Sequence, residues 1–296
     1  LYLDSYVGSQ AEKFLRAYDD DRPLCLFVGF PGPHEPWDAP GRYATMYDPQ
    51  RSPDPIPYPE SNSNLPESIR EMPDFQPFPD STPENIAAIR ANYYGKISLI
   101  DHWVGRILDA CEERGLSENM LIIFWSDHGE MLGDHRRLYK STFFESSMRV
   151  PLIVSWPGRL PEGKRCDAPA ETVDIYPTVL EAAGVEPSGR CLGSSLISAA
   201  EGSSSLREVQ LSEVIYGGER RICIRTSRYK YAIRQDGKGY MLYDLRRDPN
   251  EQENLIGTEE ELERDLREML LTRLVSSSYS MRSFKTGPDG LPRPEY

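Results

Sequence analysis

The sequence lacks an apolar run long enough to cross a bilayer, and its longest apolar segments, 24–30 and 120–125, have the length of single strands. Cysteine is scarce, with five residues and no Cys-x-x-Cys spacing, so neither a zinc cluster nor a disulfide framework is indicated and we expect buried free thiols. Basic residues are too few, 34 Lys and Arg against 47 Asp and Glu, to favour a nucleic acid partner. We therefore expect neither nucleic acid nor membrane as a partner, and the compartment stays open.

The sequence does contain an alternation of strand-like and helix-like segments. The segments 24–30, 120–125 and 149–156 predict three strands, of which the first two are continuous apolar runs typical of buried strands. Between those two, Ser81-Thr82-Pro83-Glu84 predicts a helix start, followed by apolar residues at steps of three and four from Ile86 to Cys111. A short helix is predicted over 174–183. The segment 38–80 is rich in Pro, Ser and Asp, which predicts a long surface excursion.

This alternation favours an α/β fold in which a layered sheet carries helices on both faces. Beyond a Ser/Gly-rich stretch at 202–205, four short strand-like segments and a charged helix from Thr258 to about Leu274 predict a small antiparallel sheet with a helix. We expect three parts: an α/β core over 1–205, a small α+β subdomain over 206–275 and a tail over 276–296.

Two of the four histidines fall directly after predicted strands, where α/β proteins collect their ligands. Asp127 and His128 follow the segment 120–125, and His34 follows the segment 24–30. A carboxylate beside an imidazole suits a divalent cation, and Gly129 allows the backbone to turn closely. On these residues alone, a turn that merely caps the strand explains the pattern equally well.

A longer ordered set of motifs favours the functional explanation. Ser126-Asp127-His128-Gly129-Glu130-Met131-Leu132-Gly133-Asp134-His135 is followed by Leu138-Tyr139-Lys140, Phe144-Glu145 and Arg149-Val150-Pro151-Leu152. The same pattern includes Gly32-Pro33-His34-Glu35-Pro36-Trp37, Asp174-Ile175-Tyr176-Pro177-Thr178 and Asp248-Pro249-Asn250-Glu251. Together these motifs resemble the sulfatase family of the alkaline-phosphatase-like superfamily over roughly residues 24–255. His128, where many sulfatases have Asn, resembles the branch that contains choline sulfatases and iduronate sulfatases.

The resemblance implies roles for four residues. It makes Asp127 and His128 metal ligands, usually to Ca²⁺, with Mn²⁺ or Zn²⁺ left open because imidazole also suits these ions. It makes His34 and Lys140 contact the sulfate and take part in catalysis: His34 holds an oxygen or protonates the leaving alkoxide, and Lys140 offsets developing negative charge. The alternative for Lys140 is a solvated surface lysine. For His135, a hydrogen-bonding role behind the metal ligands and an ordinary loop position are both open.

The same resemblance implies a nucleophile that we do not expect in this chain. Sulfatases use a formylglycine made from Cys or Ser in a Cys/Ser-x-Pro/Ala-x-Arg motif, with two further Asp metal ligands near the N-terminus. Cys25 is followed by Leu-Phe-Val-Gly and Cys166 by Asp-Ala-Pro-Ala, so neither fits, and we expect no serine to restore the motif. Because the chain opens on Leu1, we expect a truncated sulfatase or a processed second chain. An N-terminal segment or chain would supply the formylglycine, and this chain would be inactive alone.

Three functions follow from these expectations. The first is a sulfatase that hydrolyses the sulfate ester of a small molecule or a sulfated sugar by the metal-dependent formylglycine mechanism. The second is a phosphonate or phosphate ester hydrolase of the same superfamily, since the sequence does not expose the pocket that sets this preference. The third is a non-catalytic sulfatase-like module that binds an anion or a partner. An upstream coding sequence with the motif and an Asp pair favours the enzyme, whereas a start codon at Leu1 favours the module.

Overall fold

The structure is a computed structural model that describes residues 2–79, 81–187, 191–202, 207–279, 284–286 and 292–294. Its helices are α1 (Leu3–Ala17), α2 (Glu67–Arg70), α3 (Pro83–Glu113), α4 (Glu145–Met148), α5 (Ile175–Ala182), α6 (Leu196–Glu201) and α7 (Glu260–Tyr279). Its strands are β1 (Ile122–Trp125), β2 (Leu152–Ser155), β3 (Gln210–Tyr216), β4 (Glu219–Arg225), β5 (Tyr229–Ile233), β6 (Gly239–Asp244), β7 (Phe284–Thr286) and β8 (Pro292–Pro294). Across these ranges, none of the helices has the length and apolarity that a bilayer crossing demands.

The long helix α3 begins where the sequence predicts. The Thr82 side chain accepts the backbone N–H of Asn85 at 3.2 Å, and Pro83 fits the first turn, where its missing N–H costs no hydrogen bond. The predicted apolar stripe is buried only in part: Ile86, Ile100 and Cys111 are buried, whereas Ile97 is exposed. The buried face of α3 also carries two cations, Arg90 and Lys96. Both cations contact loops that follow predicted strands, so α3 supports the region where the sequence places the site.

Strands β1 and β2 form an antiparallel pair in which Trp125 lies opposite Leu152. The prediction of a buried strand over 24–30 is wrong for this structure, because the segment is irregular and Phe27 is 75% exposed. The segment still touches β1, since the rings of Phe27 and Trp125 are 5.8 Å apart. An apolar run becomes a strand only where a neighbouring backbone satisfies its N–H and C=O groups, and the described residues offer no such neighbour here.

The five cysteines differ in exposure, and Cys191 is partly buried. Cys111 and Cys223 are buried free thiols, as predicted, and burial raises the pKa of Cys223 to about 12. Cys25 and Cys166 are exposed, so the prediction of buried thiols is wrong for them. Cys25 is exposed because it belongs to the segment 24–30, which has no strand partner.

The segment between α1 and α3 contributes directly to the core. Leu65, Ile69, Met72 and Phe75 are each less than 9% exposed. Their chain folds into α2 and short 3₁₀ turns, so the predicted surface excursion over 38–80 is wrong for this part. The reason is visible in the spacing of residues 65, 69 and 72, which places apolar side chains on one side of a helical turn within an otherwise polar stretch.

The predicted C-terminal antiparallel sheet is confirmed, with the strand order β3-β4-β5-β6. Side chains alternate between its faces, as the pleat requires. One face directs Ile224, Tyr231 and Leu242 toward Leu266 and Leu270 of α7. The other face packs against the segments that lead to the candidate site, through Cys223, Ala232, Met241, Phe75, Met131 and Phe144. The sheet is therefore buried on both faces and supports the site from one side.

The predicted division of the chain at 205 and 206 stays a prediction. The core cluster that contains Phe75, Met131 and Phe144 also contains Tyr240 and Tyr243, so it combines side chains from both sides of that position. Helix α7 extends to Tyr279, past the predicted end of the subdomain at 275. Most of the predicted tail lies outside the described residues.

Candidate active site

His34 and Lys140, which lie 106 positions apart in the chain, meet in the fold. Lys140 Nζ lies 2.6 Å from His34 Nε2. His34 Nδ1 lies 2.8 Å from the carbonyl oxygen of Glu35, so this hydrogen-bond pattern assigns the ring proton to Nδ1 and leaves Nε2 as the acceptor for Lys140. Both side chains reach solvent, with exposed fractions of 48% for His34 and 22% for Lys140. The pair can therefore receive a ligand from solution.

The Glu35 carboxylate contacts both members of this pair. It lies 3.3 Å from Lys140 Nζ and 3.2 Å from His34 Nδ1. Burial alone raises the pKa of Glu35, but its own backbone N–H and the Lys140 ammonium outweigh burial and hold the pKa below its usual range. The carboxylate is therefore ionised at neutral pH and offsets part of the Lys140 charge.

Aromatic contacts bring the two loops together. The ring of Trp37, three residues after His34, stacks on the ring of Tyr139 at a centroid distance of 5.6 Å and an interplanar angle of 17°. Phe78 contacts the same Tyr139 ring edge-on at 5.1 Å. Tyr139 directly precedes Lys140, so the stack fixes the distance between the backbones that carry the two polar side chains. Of these rings, only Tyr139 and Trp37 belong to the motifs seen in the sequence.

Asp127 and His128 form the second predicted pair, in the loop after β1. Asp127 Oδ1 accepts the backbone N–H of His128 at 2.9 Å, and His128 Nε2 lies 3.7 Å from Asp127 Oδ2. Gly129 must lack a side chain, because a Cβ there would lie 2.1 Å from the carbonyl oxygen of Ser146. Its N–H donates to the Ser147 carbonyl at 2.7 Å, which holds the loop against α4.

The Asp127 and His128 side chains are suited to a divalent cation. His128 Nδ1 lies 2.9 Å from the Gly129 carbonyl, which assigns it the ring proton and leaves Nε2 with a lone pair for a metal. The Asp127 side chain is 84% exposed, so its carboxylate is free to turn toward an ion. Within the described residues, no group of three or more His, Cys, Asp or Glu side chains is arranged to hold a metal. The role of Asp127 and His128 as metal ligands therefore stays a prediction.

Glu130 follows the Asp127 and His128 pair in the chain and lies near Lys140. Burial raises the pKa of its carboxyl group, an effect that the backbone N–H groups of Leu132 and Tyr139 and the Lys140 charge partly offset. The Lys140 charge thus stabilises the ionised form of Glu130. Among the described residues, no hydrogen bond joins the His34–Lys140 pair to the Asp127–His128 pair. The sequence contains Glu130 in its main motif but gave no indication that its carboxyl group is buried.

The loop that follows Glu130 is fixed by α3. Arg90 donates from Nε to the Leu132 carbonyl at 2.7 Å and from Nη2 to Asp134 Oδ1 at 2.6 Å. Asp134 Oδ2 also accepts from the Ser146 hydroxyl at 2.6 Å. Because Arg90 and Asp134 are both largely buried, these charge-assisted bonds fix the loop that leads to Lys140.

His135 is a core residue and no partner of the proposed metal ligands. Its ring stacks on Phe144 with centroids 4.1 Å apart, and only 2% of the residue is exposed. Both of its ring nitrogens are buried without a hydrogen-bond partner among the described residues. Burial lowers the pKa of His135 to about 4, so the ring is neutral at physiological pH.

The expectation that no serine matches the nucleophile motif is wrong. Ser155-Trp156-Pro157-Gly158-Arg159 fits Ser-x-Pro-x-Arg. Ser155, however, pairs with Ile122 at the start of β1, whereas Asp127 follows Trp125 at its end. The three residue steps from Ile122 to Trp125 separate the two ends of β1 by about 10 Å. Ser155 therefore lies at the opposite end of the strand pair from Asp127 and His128.

Comparisons with known proteins agree with these motifs. The family model described as Sulfatase matches residues 2–185, and the one described as N-sulphoglucosamine sulphohydrolase, C-terminal, matches residues 133–278. The chain is 32% identical over 284 residues to an arylsulfatase of Clostridium perfringens, covering 93% of this chain and 58% of that protein. It is 34% identical over 253 residues to a choline-sulfatase of Rhizobium meliloti, covering 81% of this chain and 48% of that protein. The chain thus spans about half of the length of these relatives.

The fold agrees as well. The crystal structure of a phosphonate monoester hydrolase of Agrobacterium radiobacter is similar with a TM-score of 0.83 and 26% identity, over 99% of this chain and 64% of that one. This likeness confirms the predicted α/β fold. The motifs around Asp127 and Lys140, the fold and the family model over residues 2–185 lead to the same conclusion, that the chain belongs to the sulfatase family.

Proposed function

We propose that this chain contributes the sulfate-binding and metal-binding side chains of a sulfuric ester hydrolase. The observation that carries the proposal is the contact of 2.6 Å between Lys140 Nζ and His34 Nε2 at a solvent-accessible position. An ammonium and an imidazole that share one hydrogen bond can both turn to an anion that enters between them. The names of the relatives, arylsulfatase and choline-sulfatase, support the sulfate ester of a small molecule as the substrate, and a sulfated sugar is the alternative.

In the proposed reaction, each side chain has one task. Lys140 directs its charge to the sulfate oxygens, where negative charge increases as the ester bond breaks. His34 keeps one proton on Nδ1 through the Glu35 carbonyl, so Nε2 takes a proton from solvent and donates it to the leaving oxygen. Glu35 holds Lys140 beside His34 until the anion arrives. Asp127 and His128 would hold a divalent cation, proposed to be Ca²⁺, which would supply positive charge to offset that of the sulfate.

We further propose that the formylglycine nucleophile comes from outside this chain. Ser155, the one residue whose sequence context fits the motif, lies at the far end of β1 and β2 from Asp127. No catalytic step is therefore assigned to it. A site that holds the anion and part of the metal shell but lacks the attacking group binds sulfate without turning over an ester.

A phosphonate or phosphate ester hydrolase is the second candidate. The similarity to the phosphonate monoester hydrolase structure, at 26% identity and a TM-score of 0.83, supports it. Sulfate and phosphate are alike in shape and differ in charge at neutral pH, so the Lys140 and His34 pair accommodates either anion. The preference depends on the total charge of the complete site.

Calorimetric titration of the purified chain with inorganic sulfate and with inorganic phosphate, each in the presence of Ca²⁺, tests the proposal. We expect saturable binding of sulfate, tighter than phosphate by about tenfold, which corresponds to about 1.4 kcal/mol. Tighter binding of phosphate by the same factor would favour the phosphate or phosphonate ester hydrolase. A chain that binds neither anion would contradict both candidates.

A further inference from the structure

We propose that Lys96 and Asp4 are positioning residues that hold the loop 31–39 so that the His34 imidazole faces Lys140, a role that rests on the proposed function of His34 as a sulfate contact. Neither residue belongs to the motifs of the site, and neither reaches the ligand position. Lys96 lies in the middle of α3, and Asp4 lies in the first turn of α1. Both are almost completely buried beneath the loop.

Lys96 fixes the centre of the loop. Its side chain is 4% exposed, and Nζ donates to the His34 carbonyl at 2.5 Å and to the Pro36 carbonyl at 2.9 Å. These two carbonyls lie on either side of Glu35, whose own carbonyl accepts from His34 Nδ1. The Lys96 ammonium therefore fixes the peptide groups on both sides of Glu35, whose carbonyl orients the His34 imidazole.

Asp4 fixes the start of the same loop. Its Oδ1 accepts the Gly32 N–H at 2.8 Å, and a Cβ on Gly32 would lie 2.5 Å from Asp4 Oδ2. At the other end of the loop, the Ala39 N–H donates to Asn92 Oδ1 at 2.6 Å. Asp4 therefore holds the loop before His34, Lys96 holds it beneath His34, and Asn92 holds it after His34.

The charges explain why these residues hold the loop and do not simply fill the interior. A buried ammonium costs free energy unless polar groups replace its hydration, and the hydrogen bonds of Lys96 go to loop carbonyls, not to other groups of α3. Burial lowers the pKa of Lys96, whereas the nearby Asp38 and Asp4 raise it. Asp4 and Lys96 therefore stabilise each other's charged forms, and both direct their hydrogen bonds to the loop.

The test compares Lys96→Met with a matched control, Lys13→Met, in the full chain. Methionine keeps an unbranched side chain that is one atom shorter and removes the donors, and Lys13 is an exposed helical lysine on α1. Nitrogen-detected NMR of the imidazole reports the fraction of the His34 ring that carries its proton on Nδ1. Amide hydrogen exchange reports the loop through Gly32, His34, Asp38 and Ala39, whose N–H groups are all hydrogen-bonded.

We expect Lys96→Met to reduce the Nδ1-protonated fraction and to accelerate exchange of the four loop amides by about tenfold, while the amides of α3 keep their rates. Lys13→Met should leave both readouts unchanged. If both readouts are also unchanged in Lys96→Met, the positioning role is wrong.

If Lys96→Met does not fold, Asp4→Ala tests the role instead. We expect about tenfold faster exchange at the Gly32 amide in Asp4→Ala and restored protection in Asp4→Asn, whose amide oxygen still accepts the hydrogen bond. Unchanged exchange in Asp4→Ala would overturn the role.

Sulfate titration of the same variants separates this inference from the proposed function. Weaker sulfate binding in Lys96→Met than in Lys13→Met, by about tenfold, supports both. A parent chain that binds no sulfate contradicts the proposed function, while the NMR and exchange results still decide whether Lys96 positions His34.

Discussion

Lys230 Nζ lies 2.5 Å from Glu251 Oε1 and 2.8 Å from Glu145 Oε1, at a place where the lysine side chain has no exposed surface. Glu251 Oε2 also accepts the backbone N–H of Glu145 at 2.7 Å. These bonds tie α4 to the C-terminal sheet. Because α4 in turn accepts the Gly129 N–H through the Ser147 carbonyl, the loop with the proposed metal ligands is connected to Lys230.

The first prediction concerns this buried ion cluster. Lys230→Met leaves the Glu145 and Glu251 carboxylates without their shared cation, so we expect a loss of about 3 kcal/mol or more in the free energy of unfolding. Lys238→Met, at an exposed turn, should change it by less than about 0.5 kcal/mol. Urea denaturation of both variants measures the difference. Equal stability of the two variants would show that the cluster does not hold α4 to the sheet.

The second prediction concerns His135. Burial lowers the pKa of His135 from 6.5 to about 4, so the unfolded chain binds a proton there at a pH at which the folded chain does not. Neutral His135 therefore contributes about 3 kcal/mol to the free energy of unfolding. This contribution is fully present above pH 6.5 and is lost as the pH falls to about 4.

His135→Asn removes this titration and tolerates the left-handed backbone at this position, where φ is 53°. We therefore expect the unfolding free energy of the parent chain to fall more steeply between pH 7 and pH 4 than that of the variant. Denaturation at several pH values measures both slopes. Identical slopes would mean that His135 titrates normally in the folded chain.

The sequence predicted the elements that depend on local patterns and missed those that depend on a neighbour. The cap at Thr82 and short apolar runs such as Ile222-Cys223-Ile224 are local signals, and α3 and the C-terminal sheet follow from them. The segment 24–30 has the composition of a buried strand but no described strand pairs with it. A strand signal reports the side chains, whereas a ladder also requires a second backbone.

The residues of the candidate site were likewise only partly predictable from the sequence. His34 and Lys140 were found through family motifs, and no spacing rule predicts a contact between residues 106 positions apart. Lys96 was not found, because a lysine beside the apolar stripe of a helix is ordinarily solvated. Its burial became apparent only when α3 and the loop 31–39 were seen together. The serine motif at Ser155 was missed in the sequence, and only the β1–β2 register separates it from the site.

The third prediction concerns the proposed metal ligands. Two described ligands, Asp127 and His128, fall short of the six to eight oxygens that Ca²⁺ prefers, so we expect weak binding with a Kd of about 1 mM. Asp127→Asn should weaken it by about tenfold or more, because the amide carries no charge. Asp19→Asn, in the exposed acidic run before the segment 24–30, should have no effect.

Calorimetric titration with Ca²⁺, Mn²⁺ and Zn²⁺ measures the parent chain and both variants. Equal weakening by Asp127→Asn and Asp19→Asn would show that the ion binds acidic surface without a specific site. If Zn²⁺ or Mn²⁺ binds more tightly than Ca²⁺ and this binding still depends on Asp127, the proposed site stands and its ion is not Ca²⁺.

The fourth prediction concerns the nucleophile. Because Ser155 lies at the far end of β1 and β2 from Asp127, the purified chain should release no product from an aryl sulfate above the buffer rate, and Ser155→Ala should behave identically. The assay follows the released phenol over several hours with Ca²⁺ present. Turnover by the parent chain that disappears in Ser155→Ala would make Ser155 the nucleophile and contradict the proposal that the nucleophile comes from outside this chain.

The central claim is that His34 and Lys140 together bind sulfate, and NMR of the histidine rings during titration with inorganic sulfate tests it most directly. The chain has four histidines, and the exposed His102 on α3 serves as an internal reference. We predict that the His34 signals shift saturably while those of His102 do not, and that Lys140→Met weakens the response by about tenfold whereas Lys238→Met preserves it. His34 signals that do not respond to sulfate, or that respond equally in Lys140→Met, would contradict the claim.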